Sequence, residues 1–234
     1  MKRIKRSLSA MLVAVMFLSL SLTAFAAHSF RDVDQNSWYG GAVEYVYNKG
    51  LMSGVSAEVF SPDANMSRGM LVTVLYSMAG KPSVNATEPF ADVGASDWYY
   101  KPVVWAYKNG IVAGTSANSF SPNSNITREQ MVAIFSKYAA YKGLKTPASA
   151  NITGYSDRHS ISSYATNAFK WAVGAGIISG TSATTLSPQG NATRAQCAVI
   201  IRQFVKWAEK GGTTSPTPTP DFDNGGREDE LPIG

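Results

Sequence analysis

The sequence of 234 residues predicts a mainly α-helical fold made of three helix–loop–helix repeats. Two observations support this fold class. One string of residues returns three times along the chain, and each copy contains apolar residues at the spacing of one helix face. A repeat of about 60 residues buries little core by itself, so the three apolar faces are expected to meet around a common axis.

Each copy begins with an aromatic-x-Asp segment, continues through two glycines and an apolar-Ser-Pro triplet, and ends in Ser/Thr-Arg. The aspartate, the second glycine and the arginine are Asp32, Gly54 and Arg68 in copy one, Asp92, Gly114 and Arg128 in copy two, and Asp157, Gly180 and Arg194 in copy three. Copies one and two are offset by 60 residues, and copies two and three by 65 to 66. This self-similarity indicates one unit used three times, with function expected between the copies.

The first helix of each repeat is best seen in copy two. The pattern predicts a helix that contains Trp105 and ends at Asn109-Gly110, because glycine favours a helix C-terminus. Pro102 is expected near its start, since an interior proline removes a backbone hydrogen bond and clashes with the preceding turn. The loop 111–126 follows, and Phe120 is predicted to fix this loop to the core.

The second helix is predicted to begin after a capping residue. Thr127 and Gln130 form a capping box in copy two, and Thr193 and Gln196 repeat it in copy three. An apolar stripe at helical spacing follows each start. The stripes are Leu71, Val74, Leu75 and Met78 in copy one, Met131, Ile134, Phe135 and Tyr138 in copy two, and Cys197, Ile200, Ile201 and Phe204 in copy three.

The ends of the chain differ in composition from the repeats. Residues 1–26 combine a basic start, an apolar run and the small-x-small pattern Ala24-Phe25-Ala26, which predicts a secretory signal peptide; a retained membrane helix is the alternative. The repeats are placed at 28–87, 88–146 and 147–210. Residues 211–234 form a Pro/Thr-rich and then acidic tail that we predict to be disordered, with a surface-protein partner left open for it.

Charge and cysteine content exclude several classes of function. Without the four basic residues of segment 1–26, the chain has 17 basic and 16 acidic residues. This near-neutral balance gives no electrostatic footprint for nucleic acid. The single cysteine, Cys197, excludes an intrachain disulfide framework and replaces a core residue of the other copies, which predicts a buried thiol. No spacing of metal ligands and no cofactor motif is apparent, and no membrane contact is expected after signal cleavage.

The arginines carry the clearest chemical signal. Arg68, Arg128 and Arg194 each directly follow a helix cap, where unpaired N–H groups and the helix dipole favour an anion. A guanidinium adds a planar fork that fits a carboxylate. The alternative is that each arginine pairs with the aspartate of its repeat for structure alone, and the residues by themselves leave both readings open.

Aromatic residues and glycines extend the candidate site. Trp38 and Trp98 could stack on sugar rings or pack between repeats, whereas Trp105 and Trp171 fit core positions better. Backbone N–H groups could approach a ligand at the second glycine of each repeat and the residue that follows it. These positions are Gly54, Gly114 with Thr115, and Gly180 with Thr181.

The pattern Phe-x-Asp-Val, Trp-Tyr, Gly-Ile-x-x-Gly-Thr, Phe-x-Pro and Ile-Thr-Arg resembles the S-layer homology repeat of bacterial cell-surface proteins, over about residues 28–210. The resemblance implies a three-lobed, pseudo-threefold module with a central three-helix bundle and grooves between lobes. It also implies that the arginine, within a Thr-Arg-Ala-Glu motif, contacts secondary cell-wall polymers, often through pyruvate ketals. No copy keeps the glutamate, and Met70 of copy one cannot complete a capping box, which makes the start of that helix doubtful.

These observations predict a secreted, non-enzymatic module that attaches to the cell wall at the S-layer surface by binding anionic secondary cell-wall polysaccharide. A wall-associated hydrolase accessory and a peptide-binding module are the alternatives. The predicted binding residues are Arg68, Arg128, Arg194, Asp32, Asp92, Asp157, Trp38, Trp98, Gly54, Gly114, Thr115, Gly180 and Thr181. Copy one combines Met70 with Val55 in place of a threonine, so the site built on Arg68 is expected to bind most weakly, and an arginine-to-alanine change is expected to leave the fold largely intact.

Overall fold

Each repeat contributes two α-helices to the computed structural model, which describes residues 30–87 and 90–212. The helices are α1 (Gly40–Asn48), α2 (Arg68–Met78), α3 (Tyr100–Lys108), α4 (Arg128–Tyr141), α5 (Thr166–Gly174) and α6 (Arg194–Glu209), with a 3-10 turn at Arg158–Ser160 before α5. The mainly α-helical fold of helix–loop–helix repeats is confirmed. The predicted signal peptide and the tail beyond residue 212 lie outside the described residues.

The second helices begin where their caps predict. Thr127 and Thr193 each accept a hydrogen bond from the backbone N–H three residues on, and both capping boxes are complete. In copy one, Ser67 still accepts from the Met70 N–H, so α2 begins at Arg68 without the reciprocal half of the box. The doubt about this helix start was therefore wrong, because the cap hydroxyl alone satisfies the donor.

The predicted apolar stripes form the centre of the core. Nearly all of their members are buried, and Met78 is partly buried. The stripes of repeats two and three touch directly: the rings of Phe135 and Phe204 lie 4.8 Å apart, and Cys197 Sγ lies 3.9 Å from Met131 Sδ. Burial raises the pKa of Cys197 to about 12, so the predicted buried thiol is confirmed and remains protonated at neutral pH.

The main helix pairs join different repeats. The second helix of each repeat packs against the first helix of the next, as α2 with α3 and α4 with α5, and α6 returns to pack against α1. The two ends of the repeat array are thus joined in space. This arrangement explains why no single repeat can complete a core.

A cycle of backbone hydrogen bonds marks the same closure. The residues that precede the three caps are Met66, Ile126 and Ala192, all buried. The Met66 N–H donates to Ala192 O at 2.9 Å, the Ile126 N–H to Met66 O at 2.9 Å, and the Ala192 N–H to Ile126 O at 3.0 Å. Each residue therefore donates to one neighbour and accepts from the other, which gives the centre of the molecule a threefold pattern.

Within residues 30–87 and 90–212, no helix has the length and apolar character required to cross a membrane.

Candidate functional site

The arginine at the start of each second helix reaches into the loop of the next repeat. Arg68 is 6% exposed, and its Nε donates to Phe120 O at 3.0 Å while its Nη2 donates to Ala113 O at 3.2 Å. Its guanidinium also lies 4.7 Å from the centre of the Phe120 ring. Arg68 thus binds repeat one to the 113–120 loop of repeat two.

The same contacts recur around the molecule. Arg128 donates from Nε to Leu186 O at 2.8 Å and from Nη2 to Ser179 O at 2.6 Å. Arg194 closes the circle on the first repeat, through Phe60 O at 2.8 Å and Ser53 O at 2.6 Å. Burial lowers the pKa of Arg128 to about 10, which leaves it charged at neutral pH.

The helix starts are satisfied by protein atoms. At α4, the backbone N–H of Arg128 donates to Gly190 O, that of Glu129 to Pro188 O, and that of Gln130 to the Thr127 hydroxyl. The equivalent donors of α2 and α6 meet equivalent carbonyls and caps. The expectation that these helix starts offer unpaired N–H groups to an anion is therefore wrong, because the neighbouring repeat already occupies them.

The aspartates fold the loops of their own repeats. The Asp92 carboxylate accepts from the N–H groups of Phe120 and Ser121, both at 2.8 Å, and from the Ser119 hydroxyl at 2.6 Å. Ser121 has a φ of 58°, a left-handed conformation that is costly for a residue other than glycine. Asp32 and Asp157 hold the corresponding loops in the same way. The hydrogen bonds described above for the arginines and aspartates therefore go to backbone and hydroxyl groups, whereas the alternative interpretation placed each arginine against the aspartate of its repeat.

Loop stability should depend on the ionised form of Asp92. Burial acts to raise the pKa of this carboxyl, but the hydrogen bonds from Ser119, Phe120 and Ser121 outweigh it and lower the pKa. Because the folded pKa lies below the ordinary value of about 3.9, the stabilisation is present at neutral pH and is lost as the pH falls through the folded pKa. Asp92→Asn should lower the free energy of unfolding by about 1–2 kcal/mol at pH 7. This is the lower end of the range for hydrogen bonds to charged groups, because Asp92 is exposed.

Urea unfolding between pH 7 and pH 2.5 checks this prediction. The Asp92→Asn protein should show a flatter fall in unfolding free energy below about pH 4 than the unaltered protein. Asp63→Asn, an exposed carboxylate in the equivalent loop of repeat one, serves as the control. Equal acid dependence in all three proteins would contradict the role of Asp92.

The second glycine of each repeat is required by close packing. A Cβ on Gly114 would lie 2.6 Å from the Phe90 ring and 2.6 Å from Ser119 O, far inside contact distance. Gly54 and Gly180 meet the equivalent neighbours. These glycines allow the loop to fold back on the aromatic residue that opens the repeat. The following residue is exposed in repeats one and two and partly buried in repeat three.

One groove brings several predicted residues together. Groove A, with a volume of about 680 Å³, lies between the 111–115 loop, α4 and α5, with Arg68 at its base. Gly114 and Thr115 line it beside Arg68, so the arginine of one repeat meets the glycine loop of the next. The Arg128 and Arg194 contacts and the helix pairs define two equivalent places, groove B at Arg128 between α6 and α1, and groove C at Arg194 between α2 and α3.

This arrangement changes the reasoning behind the expected order of the sites. Arg68 faces Thr115, whereas Val55, the residue without a hydroxyl, follows Ser53 in the loop that Arg194 contacts. Met70 and Val55 are the equivalents of Gln130 and Thr115, which line groove A, so both belong to groove C, the groove of Arg194. The reasoning that made the Arg68 site weakest was wrong because it assumed that a repeat supplies its own groove.

The tryptophans separate into two groups. Trp105 and Trp171 are buried among aromatic rings, as the core interpretation predicts. Trp98 is 58% exposed and Trp38 is partly buried, and each stands two residues before a first helix. Tyr164 occupies the same position before α5, is 59% exposed and lines groove A. An aromatic side chain thus stands at the same place in all three repeats.

Sequence reasoning missed the residue that orients Tyr164. Glu129, 4% exposed, accepts from the Tyr164 hydroxyl at 2.8 Å and from the Ser162 N–H and hydroxyl at 2.9 Å each. Burial acts to raise the pKa of Glu129, yet these hydrogen bonds lower it. Burial and this contact raise the pKa of Tyr164. Copies one and three have Gly69 and Ala195 at this position, so a departure from the repeat was the available signal.

Among the described residues, no group of three or more His, Cys, Asp or Glu side chains is placed to hold a metal ion.

Several known proteins resemble this chain. An endoglucanase from Bacillus sp. (strain KSM-635) is 31% identical over 209 residues, covering 86% of this chain and 22% of that enzyme. The surface-layer 125 kDa protein of Lysinibacillus sphaericus is 25% identical over 206 residues, covering 86% of this chain and 17% of that protein. An S-layer protein of Bacillus thuringiensis subsp. finitimus is 28% identical over 189 residues, covering 80% and 22%.

The chain spans only about a fifth of the length of each of these curated relatives. The S-layer homology domain model matches it in three segments, residues 29–69, 89–132 and 154–198. Each segment contains one aromatic-x-Asp start, one second glycine and one helix-start arginine. On these matches, the chain belongs to the S-layer homology domain family, with three tandem repeats.

Proposed function

We propose that this protein attaches to the bacterial cell wall by binding anionic secondary cell-wall polysaccharide in the grooves between its repeats. Membership of the S-layer homology family supports attachment to the wall, and matches to a surface-layer protein and to S-layer proteins support a place at the cell surface. A secreted protein on the outer face of the wall fits the predicted signal peptide. A pyruvate ketal is the anionic substituent that we propose.

Groove A is the observation that carries this proposal. Its volume of about 680 Å³ falls within the range of about 300–1,000 Å³ that ligand sites occupy. It combines the exposed ring of Tyr164 with the hydroxyls of Thr115 and Ser136 and the amides of Gln130 and Asn167. An aromatic face beside hydroxyl and amide groups suits a sugar, which presents both C–H and O–H groups.

We propose that the module itself is not catalytic. Glycoside hydrolysis requires a pair of carboxyl groups facing the sugar bond, and none of the residues that line groove A in the described chain is acidic. The match to the endoglucanase covers 22% of that enzyme, and the match to an amylopullulanase of Thermoanaerobacterium thermosulfurigenes covers 9%. An anchoring part that is separate from a catalytic part accounts for these matches.

Co-sedimentation tests the proposal. Residues 27–234 should sediment with wall sacculi that carry the secondary polysaccharide and remain in the supernatant with sacculi stripped of it. Soluble purified polysaccharide should release the bound protein, whereas a soluble fraction of wall proteins should not. Equal binding to stripped sacculi, or release by the protein fraction alone, would contradict polysaccharide binding and favour a peptide-binding module.

A further inference from the structure

The wall of groove A that α4 provides differs from its counterparts in grooves B and C. Ser136 and Lys137 line groove A, and the other two repeats carry different residues at both positions. The equivalent residues are Arg202 and Gln203 in groove B, and Tyr76 and Ser77 in groove C. A small residue followed by a cation is thus found in groove A.

The small side chain leaves groove A open. In groove B, Arg202 reaches across to α1, where its Nη1 lies 3.7 Å from the position of a Cβ on Gly41. In groove C, Tyr76 is buried and donates its hydroxyl to Pro82 O at 2.7 Å. At the equivalent position of groove A, the short side chain of Ser136 does not extend across to α5. Room for a ligand therefore remains between α4 and α5.

The cation that a ligand can reach in groove A is Lys137. Arg68 is nearly buried, and its Nε and Nη2 already donate to backbone carbonyls. Lys137 is exposed and lies two turns along α4 from Gln130, on the face that lines the groove. An ammonium group on a flexible stem can move to meet an anion, whereas the Arg68 fork is held by the loop of repeat two.

The aromatic residue of groove A is oriented by a hydrogen bond. The Tyr164 hydroxyl donates to Glu129, and the Glu129 carboxylate is itself held by Ser162. Gly69 and Ala195 stand in place of Glu129 in the other repeats and cannot orient an aromatic ring in this way. A ring fixed before binding loses less conformational freedom when a sugar stacks on it.

We infer that groove A is the principal polysaccharide site, and that Lys137 binds the anionic substituent directly while Tyr164 supports the sugar ring. The inference rests on the proposed function and assigns it to one of three grooves. Arg68 contributes its charge from below the groove and mainly joins two repeats. The direct contact therefore comes from a residue outside the repeated pattern.

The test uses residues 27–234 and two probes, pyruvylated wall polysaccharide and the same polymer after mild acid has removed the ketals. Lys137→Gln, which installs the amide found in groove B, should weaken binding to the pyruvylated polymer about 10- to 150-fold, as expected for one hydrogen bond to a charged group. Its affinity should also depend less on salt, because an exposed charge pair is screened. Lys108→Gln, an exposed lysine at the end of α3, is the matched control.

The outcomes are distinguishable. If the unaltered protein binds neither polymer, the proposed function fails and this inference with it. If it binds and Lys137→Gln binds equally well, the proposed function stands and the assignment to Lys137 is overturned. A greater loss in Arg202→Gln than in Lys137→Gln, with both proteins folded by circular dichroism, would make groove B the principal site. Equal loss on both polymers would identify the anion as a group other than the ketal, such as a phosphate.

Discussion

Removal of the third repeat is expected to abolish cooperative folding. A chain that ends at residue 146 lacks α5 and α6, which are the packing partners of α4 and α1. Two of the three inter-repeat helix pairs are then lost. Because a domain is stable by only about 5–15 kcal/mol, loss of most of its packing should leave no folded state. Urea unfolding followed by far-UV circular dichroism should show a broad, weak transition in place of a sharp one.

A circular permutant is the matched control for this deletion. Gly212 is joined to Phe30 by a flexible linker, and new termini are opened in the connecting segment 82–88, so all three helix pairs are kept. We expect the permutant to retain more than half of the unfolding free energy, since the contact between α1 and α6 already holds the two ends together. A truncated chain as stable as the permutant would contradict the closed arrangement.

Arg128→Ala is expected to destabilise the protein by about 2–6 kcal/mol. The change removes the donor of two hydrogen bonds, to Leu186 O and to Ser179 O, and removal of one partner of such a bond costs about 1–3 kcal/mol. This replaces the expectation that an alanine at this position spares the fold, because Arg128 is 1% exposed and its guanidinium joins two repeats. The midpoint of urea unfolding measures the effect.

Arg128→Lys tests whether the planar guanidinium or its positive charge stabilises the contact between the two repeats. Lysine keeps the charge but cannot direct two N–H groups at carbonyls in the geometry that Nε and Nη2 adopt. We expect this variant to lose at least half as much stability as Arg128→Ala. Full stability in Arg128→Lys would show that charge alone is needed. Binding measured per folded molecule then separates a role in the ligand site from this structural one.

Much of the fold could be predicted from local signals. Thr127 with Gln130 and Thr193 with Gln196 fixed two helix starts, and Pro102 and Gly110 bounded a first helix, because caps and breakers act within a few residues. The burial of the stripes also followed from helical spacing alone. These features depend on neighbours along the chain, which a sequence displays directly.

The composition of the grooves could not be predicted in the same way. Alignment of the copies placed Arg68 with Gly54 of its own repeat, yet Arg68 lies beside Gly114 of the next repeat. The reason is that the second helix of each repeat packs against the first helix of the following repeat. Periodicity does not reveal such a pairing. Glu129 was overlooked for a related reason: it breaks the repeat, and its partner Tyr164 lies 35 residues away.

The hydrogen-bond cycle of Met66, Ile126 and Ala192 limits the number of repeats that one closed module can contain to three. In an open solenoid the last unit leaves a free face, and a duplicated unit can be added there. Here the third unit already uses the face that a fourth would need. Evolution of this chain toward tighter attachment should therefore proceed by adding whole rings of three or by improving one groove, and a single extra repeat would remain outside the ring.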